Sequence, residues 1–235
     1  MPILSCSDIT LRYGQLTAVE GLSFSVEDGD YLAIVGENGS GKSTLIKALL
    51  GLLEPAAGKI TYNGVTPHEI GYLPQQTAVQ RDFPATVWEV VLSGNLGKAP
   101  LLRPFYNREE RARADAMLAQ LGIDDLKYRS VRALSGGQRQ RVLLARALCA
   151  ARKMILLDEP AAALDPVAAA ELYDRIDHLN RDHGVTVIMV THSMDAAKRA
   201  TKVLNMNHKD PFYGTVEEFF TSGRADKMMG GEDHV

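Results

Sequence analysis

Two hydrophobic textures alternate along the chain. Tyr31-Leu32-Ala33-Ile34-Val35, Met154-Ile155-Leu156-Leu157 and Val185-Thr186-Val187-Ile188-Met189-Val190 are apolar at nearly every position. Such runs bury both faces, which predicts central strands of a parallel sheet. Residues 9–13 and 22–26 instead alternate apolar and polar, so residues 3–30 read as a pair of half-buried antiparallel strands broken at Gly14 and closed by Glu27-Asp28-Gly29-Asp30. Residues 59–62, closed by the turn pair Asn63-Gly64, and residues 70–73 are further short strands. Helical spacing predicts helices over 45–50, 87–92, 108–121, 139–151, 167–183, 194–200 and 216–220, with 202–206 as a last short strand. The stretch from about 86 to 150 reads as a helical insertion. Its run Arg108, Glu109, Glu110, Arg111, Arg113 is expected to be a solvated helix face with i,i+4 pairs.

Composition narrows the classes. The 235 residues, 46% of them hydrophobic and 23% charged, suffice for a globular unit with a sizeable core. A net charge of -3 gives no global sign of a nucleic-acid partner. The two cysteines, Cys6 and Cys149, match no metal or redox spacing and read as structural thiols in a reducing compartment. The first residues show no basic segment followed by an apolar run, so no signal peptide is expected, and no stretch reaches membrane-spanning length. A role at a membrane would need a partner's spans.

The candidate chemistry gathers at strand ends. Gly36-Glu37-Asn38-Gly39-Ser40-Gly41-Lys42-Ser43-Thr44 fits the phosphate-binding P-loop and lies between a predicted strand and a predicted helix. The glycines free the backbone to present N–H groups as an anion nest, and the helix adds its positive end. Lys42 can reach the β- and γ-phosphates, and the Ser43 hydroxyl can reach Mg²⁺. Asp158 and Glu159 end a buried strand, where ligands bind in open α/β sheets. Asp158 suits a metal-holding acid and Glu159 a base for an attacking water. His192 stands after another buried strand, placed to sense a γ-phosphate, and Gln75 and Gln76 follow the strand at 70–73. Leu134-Ser135-Gly136-Gly137-Gln138 precedes a strong helix pattern, with Ser135 as N-cap: a second anion-binding helix end, without a lysine. Taken alone it is a plain Ser-Gly-Gly cap. Tyr13 is either a half-buried strand aromatic or a platform for a purine ring.

These motifs, in this order over about residues 3–220, resemble the nucleotide-binding subunit of an ATP-binding cassette (ABC) transporter. The resemblance implies an α/β P-loop NTPase with a mainly parallel central sheet, an N-terminal antiparallel β subdomain and a helical signature subdomain. It divides the chain into an ATPase domain over 1–222, with the helical part at about 86–150, and a mobile tail over 223–235. The implied cofactors are ATP and Mg²⁺. Tyr13 would stack on adenine and residues 36–44 would hold the phosphates. Ser43, Gln75 and Asp158 would serve the metal, and Lys42, Gln75, Glu159 and His192 would serve hydrolysis. Ser135, Gly136, Gly137 and Gln138 would bind the γ-phosphate held by a second copy of the chain, and Asp165 would cross that head-to-tail interface. The alanines at 161–163 depart from the family's usual residues, and Lys202 to Gly214 departs from its strand-turn-strand with a glycine hairpin.

The resemblance also implies partners: an integral-membrane permease, a second copy and an extracytoplasmic substrate-binding protein, with this subunit peripheral on the cytoplasmic face of the membrane and no nucleic acid. Residues 71–76, 82–87 and 90–94 look like the cassettes of zinc and manganese importers, so a divalent metal is the implied cargo. The alternatives are a cassette for another substrate or an exporter, and an ABC protein without transport. Against the latter stand the single cassette and the absence of sustained heptads.

Overall fold

The computed structural model describes residues 1–75, 84–98, 106–207 and 211–225. Gln76, Asp82, Phe83, His208 and the tail beyond 225, all read from the sequence, lie outside the described residues. A three-stranded antiparallel sheet has the order β2-β1-β4, from β1 (Leu4–Tyr13), β2 (Leu16–Val26) and β4 (Ala57–Tyr62). The six-stranded sheet has the order β5-β6-β7-β3-β8-β9, from β3 (Tyr31–Val35), β5 (Ile70–Leu73), β6 (Met154–Asp158), β7 (Thr186–Val190), β8 (Lys202–Asn205) and β9 (Phe212–Thr215). All of its pairings are parallel except β8 with β9.

The continuous apolar runs are explained by the layers. Tyr31, Ala33, Val35, Ile155, Leu157, Val187 and Met189 face one core, and Leu32, Ile34, Met154, Leu156, Ile188 and Val190 face the other. The first core also takes residues of α2 (Val87–Leu92), α3 (Arg108–Gln120), α4 (Gly136–Ala150) and α5 (Pro166–Arg181). The second takes α1 (Lys42–Leu49) and the antiparallel sheet. Period-2 strand geometry sends neighbouring residues to opposite faces, so both must be apolar where both faces are covered. The β5 strand presses on α4 at Gly71, where a Cβ would lie 2.2 Å from the Ala147 carbonyl oxygen. Any larger residue there would force the two elements apart.

Several expectations change. Residues 202–206 are not the last strand: β9 follows and pairs antiparallel with β8 from Lys202↔Thr215 to Asn205↔Phe212. The helix expected over 194–200 is shorter, α6 (Met194–Ala197), and α7 (Val216–Thr221) matches its expectation. The short strand expected over 59–62 is β4, which ends at Tyr62 before Asn63-Gly64 and pairs with β1, while β5 joins the other sheet. The acidic-basic run is not wholly a solvated face. Glu110 closes a capping box with Asn107, while Arg113 turns in to the Leu148 and Ala151 carbonyls, the unpaired end of α4.

Candidate active site

The loop between β3 and α1 is built for an anion. Gly41 caps α1 in the left-handed region, φ 94°, with no side-chain hydrogen bond, and the first turn holds no acidic residue. A Cβ at Gly41 would lie 2.5 Å from the Ala18 carbonyl oxygen, so only glycine fits. Helix N-terminal N–H groups without a side-chain cap call for another acceptor. Lys42 is 7% exposed. Its Nζ donates to the Gly36 and Glu37 carbonyls at 2.7 and 2.8 Å. Burial holds the ammonium pKa below its ordinary value, against the opposing pull of Glu159, Asp158 and Glu37. The Ser40 hydroxyl is buried with no hydrogen-bond partner. A phosphate would satisfy Lys42, Ser40 and the helix end together.

Three strand ends supply the rest. Asp158 closes β6, and Glu159 follows it with φ 48°, the left-handed region that costs a non-glycine residue about 1 kcal/mol. The Glu159 N–H donates to the Val190 carbonyl at 3.0 Å, which holds this turn against the end of β7. Both Glu159 carboxylate oxygens are engaged. Gln75 Nε2, past β5, donates to Oε2 at 2.7 Å, and His192 Nε2, past β7, lies 2.9 Å from Oε1. Asp158 has its pKa raised, first by burial and then by the Glu159 charge. A cation beside it would remove that penalty, so the donor set Asp158, Ser43 and Gln75 fits a hard divalent ion.

The structure thus brings Lys42, Gln75, Asp158, Glu159 and His192 to one edge of the sheet, as their positions after β3, β5, β6 and β7 require. Tyr13 ends β1 beside α1, 44% exposed, with Lys47 Nζ 5.3 Å from its ring centroid. Ser135, Gly136, Gly137 and Asp165 line a different cavity of about 400 Å³ with Arg141 and Glu171. Here Ser135 Oγ accepts from the Gln138 N–H at 3.2 Å and Gln138 Oε1 accepts from the Ser135 N–H at 3.1 Å, a closed capping box. Asp165 caps α5, accepting from the Val167 and Ala168 N–H groups. Ala163 and Leu164 line both this cavity and a smaller one of about 90 Å³ that contains Gln75 and Glu159.

Two site residues escaped the sequence reading. The Tyr72 hydroxyl donates to Asp158 Oδ2 at 3.5 Å, and burial with the Asp158 charge pushes its pKa up to about 12, so it stays a donor. Gln140, 2% exposed, donates from Nε2 to the Pro160 carbonyl at 2.5 Å and ties α4 to the turn after Glu159. The only signal for either was a polar group at a position that periodicity assigns to the interior.

Comparison with known proteins agrees with this geometry. A family model described as ABC transporter matches residues 19–162. The chain is 35% identical to the manganese transport system ATP-binding protein MntB of Bacillus subtilis, over 95% of this chain and 91% of the relative. It is 34% identical to the high-affinity zinc uptake system ATP-binding protein ZnuC of the same organism, over 85% and 88%. Among solved structures it is similar to MJ1267, an ATP-binding cassette of an ABC transporter in its ADP conformation, with TM-score 0.84, 28% identity and coverage of 99% and 100%.

Proposed function

This chain belongs to the ABC transporter family as an ATP-binding, ATP-hydrolysing subunit, and we propose that it powers the import of a divalent metal, zinc or manganese, through a separate membrane permease. The observation that carries the catalytic part is Glu159 held from both sides by Gln75 and His192, at the strand edge where Lys42 waits on its own loop carbonyls. When a γ-phosphate arrives, Lys42 leaves the Gly36 and Glu37 carbonyls for the phosphate oxygens. Glu159 then orients and deprotonates the attacking water, and His192 steadies both carboxylate and γ-phosphate. Tyr13 would stack on adenine. Ser43, Gln75 and Asp158 would hold Mg²⁺, which would supply charge neutralisation at the β- and γ-phosphates.

ABC cassettes dimerise and work with membrane permeases. In this reading two copies pack head to tail, and Ser135 to Gln138 of one closes over the ATP of the other. The closed capping box supports it, since it leaves α4 stable before the second copy's phosphate arrives. No helix among the described residues is long and apolar enough to cross a membrane; in this reading the subunit sits on the cytoplasmic face of the membrane against its permease. An extracytoplasmic binding protein would deliver the cargo. The metal rests on the likeness to the zinc and manganese cassettes. It is tested by metal uptake in cells lacking this chain and complemented by wild type or Glu159→Gln. A selective zinc or manganese defect rescued only by wild type is expected. Uptake that is normal for both metals but impaired for a non-metal solute would replace the metal by that solute.

A further inference from the structure

Glu159 stands on a turn held at two points. Its own N–H donates to the Val190 carbonyl at 3.0 Å, and the carbonyl of the next residue, Pro160, accepts from Gln140 Nε2 at 2.5 Å. A φ of 48° persists in a non-glycine residue only where the surroundings over-determine it, and these two bonds bracket it. Gln140 is 2% exposed, and the buried residues that follow it in α4, from Val142 to Cys149, are apolar. An amide in such a stripe destabilises the fold unless it is hydrogen-bonded, so its presence points to the carbonyl it serves. Gln140 also lies one helical turn from Gly136, on the same face of α4. That face rests on the turn after Glu159: a Cβ at Gly136 would lie 3.6 Å from a Leu164 methyl, and Gln140 reaches Pro160. Gln140 lines the cavity of about 90 Å³ with Gln75, Glu159 and Leu164, while Leu164 also lines the larger one with Ser135 and Asp165. The turn therefore lies between the Glu159 carboxylate and the Ser135 helix end, and Gln140 bonds it to the helix.

We propose that Gln140 is a positioning residue for ATP hydrolysis: by holding the Pro160 carbonyl it sets the backbone that aims Glu159 between Gln75 and His192, and it ties that turn to the helix capped by Ser135. The proposal rests on the ATPase reading above. Gln140 acts on the reaction only through the turn, one residue removed from the carboxylate.

The test uses the full chain as Gln140→Met, which keeps the length of the side chain and removes the donor. Val142→Ala is the control for lost packing in the same helix, and Glu159→Gln is the hydrolysis control. His192 Nε2 lies 2.9 Å from Glu159 Oε1, so its ring resonance reports on the carboxylate. The resonance is assigned in a carbon–proton NMR spectrum by its absence from His192→Ala. Gln140→Met should move it and lower kcat about fivefold, what one ordinary hydrogen bond is worth, with KM for ATP unchanged. Val142→Ala should lower the thermal midpoint while leaving the resonance in place and kcat within about twofold. Should Gln140→Met not fold, Gln140→Asn, whose amide stops one carbon short of the carbonyl, carries the same expectation. An unmoved His192 resonance or an undiminished kcat in the Gln140 variant would overturn the proposal. A Val142→Ala chain that shifts His192 and loses turnover to the same extent would do so too, since lost packing would then suffice. Hydrolysis by Glu159→Gln at the wild-type rate would instead remove the ATPase assignment of Glu159, and the resonance would still decide whether Gln140 sets the turn.

Discussion

The N-termini of α1 and α4 are both helix ends rich in glycine, yet they are finished in opposite ways. At α1 no side chain caps the helix, a buried lysine leans on its own loop, and the Ser40 hydroxyl has no partner. At α4 Ser135 and Gln138 close a capping box, and the first turn holds no acidic residue. A helix end left uncapped in a folded protein is a binding site by subtraction, since its N–H groups need an acceptor that the chain withholds. A capped end with a bare glycine surface is finished as structure and contributes to a site only when another surface brings the ligand. The first end also has carboxylates, an amide and a histidine within reach, and the second shares its cavity with the turn at Asp165, Arg141 and Glu171. In the function proposed above, one would be the reaction centre and the other half of a lid.

The sharpest way to break this asymmetry is at Glu159. Glu159→Gln should lower ATP turnover on the order of 1,000-fold while ATP binding persists, because it removes the base and leaves the phosphate cradle intact. Steady-state hydrolysis and nucleotide binding by the same preparation check it. A comparable loss of both would mean that Glu159 holds the loop together instead of serving the chemistry.

Next comes the contrast between the two helix ends. Lys42→Ala should weaken ATP binding by the isolated chain on the order of 100-fold, because it deletes a charge-assisted hydrogen bond to phosphate at a buried position. Ser135→Arg should leave that binding within about twofold, yet abolish the ATP-dependent dimer expected of Glu159→Gln in size-exclusion chromatography. If Ser135→Arg weakened binding as Lys42→Ala does, α4 would belong to the same chain's site and the half-lid reading would fall. A smaller effect is expected at the rim. Tyr13→Ala removes a ring already approached by Lys47 and should raise the ATP dissociation constant about fivefold, near 1 kcal/mol of stacking.

How far these features could be read from the chain depended on how local their causes are. The strands and their order of chemistry were legible because burial on both faces imposes uninterrupted apolar runs, and a strand end is followed closely by the residues that use it: Lys42, Gln75, Asp158, Glu159, His192. The capping at Ser135 was legible for the same reason, since its partner Gln138 lies one helical turn away. What escaped was set by pairings across the chain. The short β9, directly after Pro211, is a strand only because β8 offers it an edge. Tyr72 and Gln140 look like misplaced polar residues until Asp158 and the Pro160 carbonyl stand opposite them. Arg113 read as solvent-facing because nothing in its own helix says that the carbonyl end of α4 lies beside it.

The smallest effect concerns stability and takes opposite signs at the two ends. Asp158 is held partly out of water beside Glu159, and its folded pKa lies above the unfolded one. The folded state therefore keeps this proton to higher pH than the unfolded state does. The group favours folding at low pH, and that contribution is lost as pH rises through the folded value, leaving a penalty for the ionised carboxyl at neutral pH. Asp158→Asn should remove the penalty in the nucleotide-free chain and raise the thermal midpoint at pH 7.5 by about 1–3 °C, a gain that shrinks as pH falls toward 4. Ser135→Ala at the other end removes a cap and should lower the midpoint by a similar amount, with no such pH dependence. Differential scanning calorimetry of both variants from pH 4 to 8 measures the pair. An end built to take a charged ligand should gain when one of its charges is removed, whereas an end finished as structure can only lose; equal signs for the two substitutions would mean that the α1 side of the site is no more strained than the α4 side.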